Sequence, residues 1–246
     1  LVVLVQGLGL PGRMWLGLPG GLVKSRWSVL VPDNRGTGGS DDPLPPYRMG
    51  QLADDLAALI EAPGRGPAAC VVGISLGGMI AQQLALRRPD LVRGLVLAAT
   101  SCGLPRSRPP SPRALALMLR SFGGDPATVR RVQRLLVGPG TLERQPALFD
   151  HWARTLGPAP CSWRGLLGQL CAALGHGTCH ALGRIRCPTV VVTGTHDRII
   201  PPASSRLLAR RIPGAELVEI EGAGHAFPLE DPKALPRILS RLRGRL

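Results

Sequence analysis

The amino-acid sequence predicts an α/β fold in which helices cover a mostly parallel, doubly wound β-sheet. Short runs rich in β-branched residues alternate with longer stretches of helical periodicity, as expected for repeated β-α-β units. The predicted strands are residues 1–5, 27–32, 68–73, 94–99, 188–193 and 215–220. All but the last are continuously apolar, which is typical of parallel strands that are buried on both faces.

The helices predicted between these strands are residues 50–62, 76–88, 201–211 and 232–243. Residues 101–183 interrupt the alternation. They begin with a Pro- and Arg-rich segment, continue with four helical stretches and show no strand pattern. These stretches are residues 112–122, 126–137, 142–156 and 162–175. We therefore expect residues 1–100 and 184–246 to form the core. Residues 101–183 would form a helical lid over the carboxyl ends of the strands, where ligands bind in such sheets.

The formal net charge of +14 raises the question of a nucleic-acid partner. The basic residues are scattered arginines rather than clusters, and aromatic residues make up only 3% of the chain, so a base-stacking surface is not predicted. Residues 101–187 carry twelve arginines and three acidic residues, which we interpret as a solvated basic surface rather than a site for an anion. No apolar stretch reaches the ~18 residues of a membrane span, so no membrane association is predicted.

Six cysteines are present without the paired spacing of a structural zinc site. Cys171 and Cys179 lie near His176 and His180, which makes zinc an alternative, but the spacing favours free thiols. Free thiols are typical of a reducing compartment, so we expect a cytoplasmic protein without a bound metal.

The segment GISLGG, residues 73–78, places a serine among three glycines between a predicted strand and a predicted helix. The pattern G-x-S-x-G in this context is typical of a nucleophile elbow, a tight turn that presents a serine hydroxyl. Residues larger than glycine at 73 and 77 would crowd the strained backbone that such a turn requires. Ser75 is therefore the candidate nucleophile, and the alternative is a tight turn with no chemical role.

A serine nucleophile needs a base, and the base needs an acid that orients it. His225 follows the last predicted strand in EGAGHAFPLEDP, and Asp197 follows strand 188–193 in GTHDRIIP. The chain order Ser75, Asp197, His225 is the one that the elbow motif requires. The alternative for Asp197 is a turn or a helix cap. The other histidines are interpreted as helix or loop positions, namely His151, His176, His180 and His196.

Two backbone amides are the candidate donors to the oxyanion that develops when a serine attacks a carbonyl. One is the amide of Leu76, directly after the serine, and the other is the amide of Leu8 in the loop QGLGLPGRMW after the first strand. Apolar side chains of the lid are expected either to line a substrate pocket or to form the core of the lid. The candidate pocket residues are Trp152, Trp163, Leu166 and Leu170.

Four blocks of sequence carry a resemblance to a known family. They are VQGLGLPGRMW, PDNRGTGGSDDP, VVGISLGGMIAQQLALRRPDLVRGLVLAATS, and VVVTGTHDRIIPP with EGAGHAFPLEDP. Together they resemble the α/β-hydrolase superfamily, in its branch of small serine esterases and 3-oxoadipate enol-lactonase-like enzymes. The resemblance implies an α/β-hydrolase fold, a Ser-His-Asp hydrolase that needs no cofactor, and structural roles for Asp33 and Arg35 in bracing the active-site loops.

The sequence departs from the family pattern at two points. The family often has His-Gly where this chain has Gln6-Gly7, which puts the bracing of that loop in question. The family also usually begins with a strand pair before LVVLV, for which this sequence has no counterpart. If the chain is complete, one edge of the sheet is shortened, which is expected to affect stability more than chemistry.

These observations predict a serine hydrolase that cleaves a small-molecule carboxylic ester or lactone through an acyl-enzyme, as a monomer or a homodimer. The same residues would also serve C–C bond hydrolysis, cofactor-free perhydrolysis or haloperoxidase-type chemistry, or acyl transfer, because the sequence identifies a nucleophile but no leaving group. Two other classes are a non-enzymatic binding protein of the same fold and a basic nucleic-acid-binding module. Salt-dependent binding to DNA would distinguish the latter.

Overall fold

The computed structural model describes residues 1–64, 68–107, 111–121, 125–157 and 160–246. Its sheet has six parallel strands in the order β2-β1-β3-β4-β5-β6. The strands are β1 (Val2–Val5), β2 (Val29–Leu30), β3 (Ala69–Ile74), β4 (Val92–Ala98), β5 (Thr189–Gly194) and β6 (Glu216–Ile220). The predicted doubly wound α/β fold is therefore confirmed, and each predicted strand is present.

The strand β2 is much shorter than the predicted residues 27–32. It lies at the edge of the sheet and pairs only with β1. Pro32 has no backbone N–H with which to extend the ladder. At the other end, the indole of Trp27 stacks under the guanidinium of Arg243, 3.9 Å from the ring centroid. These two residues explain why the apolar run WSVLVP yields only two paired residues.

Eleven α-helices flank the sheet in the described part of the chain. They are α1 (Leu18–Lys24), α2 (Met49–Glu61), α3 (Leu76–Arg87), α4 (Pro112–Ser121), α5 (Pro126–Leu136), α6 (Thr141–Arg144), α7 (Pro146–Leu156), α8 (Trp163–Leu174), α9 (Pro202–Arg211), α10 (Phe227–Glu230) and α11 (Ala234–Arg243). The predicted helix 142–156 is two helices, α6 and α7, because Pro146 forces Gln145 out of helical geometry (φ −132°). The sequence patterns did not predict α1 or α10.

The two main parts of the hydrophobic core are layers, one on each face of the sheet. Successive residues of a strand point to opposite faces, so Val3 and Val5 pack under one layer and Val2 and Leu4 under the other. The first layer is completed mainly by α2, α3 and α9, and the second by α1 and α11. All four of these β1 side chains are fully buried.

The order of the strands creates a crevice at the carboxyl ends of β1 and β3. These two strands are paired, with Val5 opposite Gly73. The chain leaves β1 toward β2 on one side, whereas β3 and the later strands lie on the other side. Loops that diverge in this way leave space for a ligand outside the ends of the strands. Helices α4 to α8 all lie between β4 and β5 in the chain.

Replacement of Leu95 tests whether β4 lies in the centre of the sheet. The Leu95 backbone pairs with β3 on one side and β5 on the other, and its side chain is fully buried in the core layer on one face of the sheet. Leu95→Ala should lower the free energy of unfolding by about 2–5 kcal/mol, because it removes buried contacts and leaves a cavity. Urea denaturation measures this change.

The matched control is Leu44→Ala, because the Leu44 side chain is 72% exposed. We expect that variant to stay within about 0.5 kcal/mol of the original protein. Equal stability of the two variants would contradict a central, buried β4.

Candidate active site

Ser75 occupies a strained turn between β3 and α3. Its backbone has φ 55° and ψ −118°, a region that residues with a side chain rarely adopt. Holding such a residue costs about 1–3 kcal/mol, and the surroundings must fix it. The Ser75 amide donates to the carbonyl of Ala98 at 2.9 Å, and the Thr100 hydroxyl donates to the Ser75 carbonyl at 2.6 Å.

Gly73 and Gly77 allow this turn because they have no side chain, and the backbone atoms around them leave no room for one. A Cβ atom on Gly73 would lie 2.2 Å from the carbonyl oxygen of Gly77. A Cβ atom on Gly77 would lie 2.1 Å from the carbonyl oxygen of Val5 in β1. Both contacts are with backbone atoms, which cannot move aside as the end of a flexible side chain can. The glycines are thus required for close packing of the turn against β1.

His225 and Asp197 form a buried pair at the same edge of the sheet. The distance between His225 Nδ1 and Asp197 Oδ2 is 2.8 Å. The other carboxylate oxygen, Oδ1, accepts hydrogen bonds from the amides of Ile199 and Ile200, each at 2.8 Å. The Asp197 carboxylate is therefore held by three hydrogen-bonding groups and fixes the orientation of the imidazole.

Ser75 and His225 both line one cavity above the carboxyl ends of the strands. No hydrogen bond joins the Ser75 hydroxyl to the His225 ring among the contacts of the described residues. Catalytic hydrogen bonds are often long in a protein without substrate and shorten when the substrate binds. The structure thus brings the three predicted residues to one place, with one of the two expected hydrogen bonds formed.

The loop after β1 lies directly against Ser75. A Cβ atom on Gly7 would lie 3.3 Å from Ser75 Cβ and 3.8 Å from Ser75 Oγ. Leu8 follows in this loop and lines the cavity. Within the described part of the chain, the amides of Leu8 and Leu76 have no hydrogen-bond acceptor. Two unused donors therefore lie on the two segments that meet at the serine.

Gln6 takes part in holding this loop, although the related family often has a histidine at this position. The Gln6 side chain is buried, and its Oε1 accepts a hydrogen bond from the amide of Gly7 at 3.1 Å. The Asn34 side chain donates to the Gln6 carbonyl at 3.2 Å. The loop is therefore braced at residue 6 by one hydrogen bond to the Gln6 side chain and one to its backbone carbonyl.

The side chains of Asp33 and Gln169 connect the same loop to its neighbours. Asp33 Oδ1 accepts from the Gly12 amide at 2.6 Å, and Oδ2 accepts from the Gly39 amide at 2.9 Å. Gln169 of α8 is fully buried and accepts from the Gly9 amide at 2.8 Å. Gln169 also donates to the loop after β2, at the Arg35 carbonyl and the Thr37 hydroxyl; the sequence analysis missed its role.

Glu230 holds the loop of His225 and was also missed. Its Oε2 accepts from the amide of Gly224, next to His225, at 2.6 Å. Its Oε1 accepts from the Gly138 amide at 2.9 Å and from the Thr141 hydroxyl at 2.7 Å. One carboxylate thereby ties the histidine loop to the segment between α5 and α6. The only signal in the sequence is an acidic residue five positions after His225.

The cavity has a volume of about 520 Å³ and is lined mainly by apolar side chains. Of the four predicted pocket residues, Trp152 lines it, whereas Trp163, Leu166 and Leu170 do not. All three of these belong to α8, which packs its Gly165 and Gly168 face against Gly36 and Tyr47. The expectation for these three is therefore wrong: this packing fixes the rotation of α8 and leaves Trp163 70% exposed.

A second buried network lies behind the turn. The Gln82 side chain of α3 donates to the Gly78 carbonyl at 3.1 Å and accepts from the Thr178 hydroxyl at 2.7 Å. The Thr178 hydroxyl lies 3.3 Å from Nε2 of His176. His176 is buried, which lowers the pKa of its imidazole to about 4. The neutral ring thus belongs to the structure around the start of α3.

The described residues form neither a metal-binding cluster nor a membrane-spanning helix. No group of three or more histidine, cysteine, aspartate or glutamate side chains is placed to hold a metal ion. No helix in that part of the chain has both the length and the hydropathy needed to cross a membrane.

Comparisons with known proteins agree with the fold. A family model described as the alpha/beta hydrolase family matches residues 2–237. The chain is 36% identical over 218 residues to a poly(3-hydroxyalkanoate) depolymerase from Ectopseudomonas oleovorans. The alignment covers 87% of this chain and 74% of that protein.

Two solved structures are similar along nearly the whole chain. A thermophilic esterase from Thermogutta terrifontis is 29% identical with a TM-score of 0.81, covering 98% of this chain and 89% of the esterase. The enol-lactonase from Burkholderia xenovorans LB400 is 26% identical with a TM-score of 0.83, covering 99% of this chain and 90% of the lactonase.

Burial of His176 should make the stability of the protein depend on pH. The pKa of its imidazole is about 4 in the folded chain and 6.5 in an ordinary setting. Between these values the unfolded chain binds a proton that the folded chain does not, so stability falls as the pH falls. From pH 7 to pH 4 the loss amounts to about 3 kcal/mol.

Urea denaturation across this pH range would measure the loss in the original protein and in His176→Asn. The variant should lose about 3 kcal/mol less than the original protein between pH 7 and pH 4. His180→Asn is the matched control, because His180 is a nearby exposed histidine, and it should retain the original pH dependence. The same pH dependence in all three proteins would contradict a buried, neutral His176.

Proposed function

This chain belongs to the alpha/beta hydrolase family, and we propose that it is a serine hydrolase that cleaves a carboxylic ester or lactone. Ser75 is the nucleophile, His225 the general base and acid, and Asp197 the residue that orients His225. The buried pair between His225 and Asp197, at the cavity that Ser75 also lines, is the observation that supports this assignment most strongly. The esterase and lactonase among the similar structures support the choice of bond.

The reaction begins when the Ser75 hydroxyl attacks the carbonyl carbon of the ester. His225 Nε2 accepts the hydroxyl proton, because Nδ1 is occupied by its hydrogen bond to Asp197. The same proton then passes to the leaving alcohol, and an acyl-enzyme on Ser75 remains. Water, deprotonated by His225, then attacks the acyl carbonyl. The bond to Ser75 Oγ breaks, His225 returns the proton to Ser75, and the acid is released.

Asp197 fixes the tautomer of His225. A carboxylate that accepts from Nδ1–H leaves Nε2 free as the base and stabilises the imidazolium that forms. The two amide hydrogen bonds from Ile199 and Ile200 keep the carboxylate in place while the charge on the imidazole changes. Burial of both side chains strengthens this interaction, because little water competes for it.

The amides of Leu8 and Leu76 stabilise the oxyanion. Both segments meet at Ser75, and neither amide is occupied by another acceptor in the described part of the chain. Leu76 is also the first residue of α3, whose N-terminal end favours negative charge. Residues 101–183 act as the lid, since side chains from α4, α5 and α7 line the cavity above the serine.

Replacement of Ser75 tests the nucleophile. Ser75→Ala should lower kcat for p-nitrophenyl ester hydrolysis by about 10⁶-fold, because the covalent step is lost. It should also abolish covalent labelling by a fluorophosphonate. Ser240→Ala, at an exposed position of α11, is the matched control and should retain both. Full labelling of a folded Ser75→Ala protein would show that another residue is the nucleophile.

Replacement of Asp197 tests the orientation of His225. Asn in place of Asp197 keeps the shape but presents an amide N–H to Nδ1, which favours the wrong tautomer, so kcat should fall by about 10⁴-fold. Steady-state kinetics with thermal unfolding as a check on folding would measure this. Asp41→Asn, at an exposed aspartate, should leave kcat unchanged. An active Asp197→Asn enzyme would argue against the proposed role of Asp197.

A further inference from the structure

The wall of the cavity carries no formal charge. Among the described residues that line it, none is a lysine, an arginine, an aspartate or a glutamate. The chain as a whole has 30 basic and 16 acidic residues of these types. Apart from the indoles, the polar side chains of the wall are Gln6, Ser75, His151 and His225.

These polar groups are mostly occupied by the site already described. Gln6 Oε1 accepts from the Gly7 amide, and the His225 ring is held by Asp197. His151 of α7 is the one polar side chain of the described wall outside the loops around Ser75, and it lies at an exposed position. A charged group on a bound molecule would therefore lose its hydration without gaining an ionic partner, which is strongly unfavourable.

Two groups of helices contribute to the apolar wall. One part comes from the helices between β4 and β5 and includes Leu136, Leu148 and Trp152. Another part comes from α1 and α11, on the face of the sheet that carries the second core layer, and includes Leu18 and Leu235. The cavity thus extends from Ser75 toward the space between α1 and α11.

Gly21 of α1 lies at this end of the cavity, at an exposed position. Gly21 lines the cavity, and a Cβ atom at this position would meet no other atom within 4 Å. Gly20 has the same open surroundings on the same helix but does not line the cavity. Glycine inside a helix costs roughly 0.5–1 kcal/mol relative to alanine. A larger side chain at Gly21 would be accommodated at the wall of the cavity, whereas one at Gly20 would lie outside it.

We propose that the substrate is an uncharged ester or lactone with an apolar chain, and that this chain extends from Ser75 into the space between α1 and α11. This inference rests on the proposed serine hydrolase function. A volume of about 520 Å³ is within the range that encloses most of a small organic ligand. An apolar chain fills such a cavity by the hydrophobic effect and needs no polar partner along its length.

The substrate class can be tested with three p-nitrophenyl esters that share one leaving group. These are the acetate, the octanoate and the mono-ester of octanedioic acid, which matches the octanoate in length and ends in a carboxylate. We expect kcat/KM for the octanoate to exceed that of each of the others by about tenfold or more, because pocket contacts and the cost of burying charge separate them. The esters are used below their critical micelle concentrations.

The route of the chain can be tested by a pair of matched variants. Gly21→Phe fills the α1–α11 end of the cavity and should lower the octanoate-to-acetate ratio of kcat/KM by about tenfold. Gly20→Phe adds the same side chain to the same helix outside the cavity and should leave the ratio unchanged. An unchanged ratio in Gly21→Phe, or an equal drop in both variants, would overturn the proposed route.

Fluorophosphonate labelling separates failure of this inference from failure of the proposed function. If Ser75 is labelled but the octanoate is cleaved no faster than the acetate or the octanedioate, the substrate class is wrong and the serine hydrolase function stands. If neither labelling of Ser75 nor cleavage of any ester occurs in folded protein, the proposed function itself fails.

Discussion

Close packing of the turn at Ser75 against β1 is the contact on which the rest of the site depends. The strained backbone at Ser75 is possible because Gly73 and Gly77 approach other backbone atoms more closely than any side chain would permit. The same approach places the loop after β1 beside the serine, so that two segments distant in sequence meet there. A side chain at Gly77 would separate α3 from β1, and with it the two candidate oxyanion amides.

Buried and half-buried polar side chains hold the loops around this turn. Asp33, Asp197 and Glu230 each accept hydrogen bonds from two or more groups, including backbone amides of loops. Gln169, with a neutral side chain, accepts from one backbone amide and donates to a backbone carbonyl and a hydroxyl. Loop backbone that leaves water must find such partners, because a buried amide without an acceptor is costly. The sheet therefore sets the positions of the loops, and these few side chains set their conformations.

The surface of the protein and its cavity differ in the charged side chains that they carry. Arginines account for nearly all of the positive charge, and those that form ion pairs do so mainly at exposed positions, as Arg87 does with Asp54. Such pairs contribute little to stability. The cavity, in contrast, has a mainly apolar wall without a charged lysine, arginine, aspartate or glutamate among the described residues that line it. Net charge is thus a poor guide to the ligand, because the basic residues lie elsewhere.

The sequence alone predicted the sheet, its parallel direction and the places of Ser75, Asp197 and His225 at strand ends. Continuous apolar runs and a glycine-flanked serine are signals within short stretches of sequence. Parallel strands have their carboxyl ends at the same edge of the sheet, so residues that follow different strands lie near one another whatever connects the strands. Two features became known only from the tertiary structure. They are the hydrogen bonds by which Gln169 and Glu230 hold the loops, and the residues that line the cavity. The Gln169 contact joins residues 160 positions apart, and helix α8 has apolar side chains on several faces. The rotation of such a helix is fixed by what it packs against, so the sequence pattern did not reveal that Trp163 faces away from the cavity while Trp152 faces it.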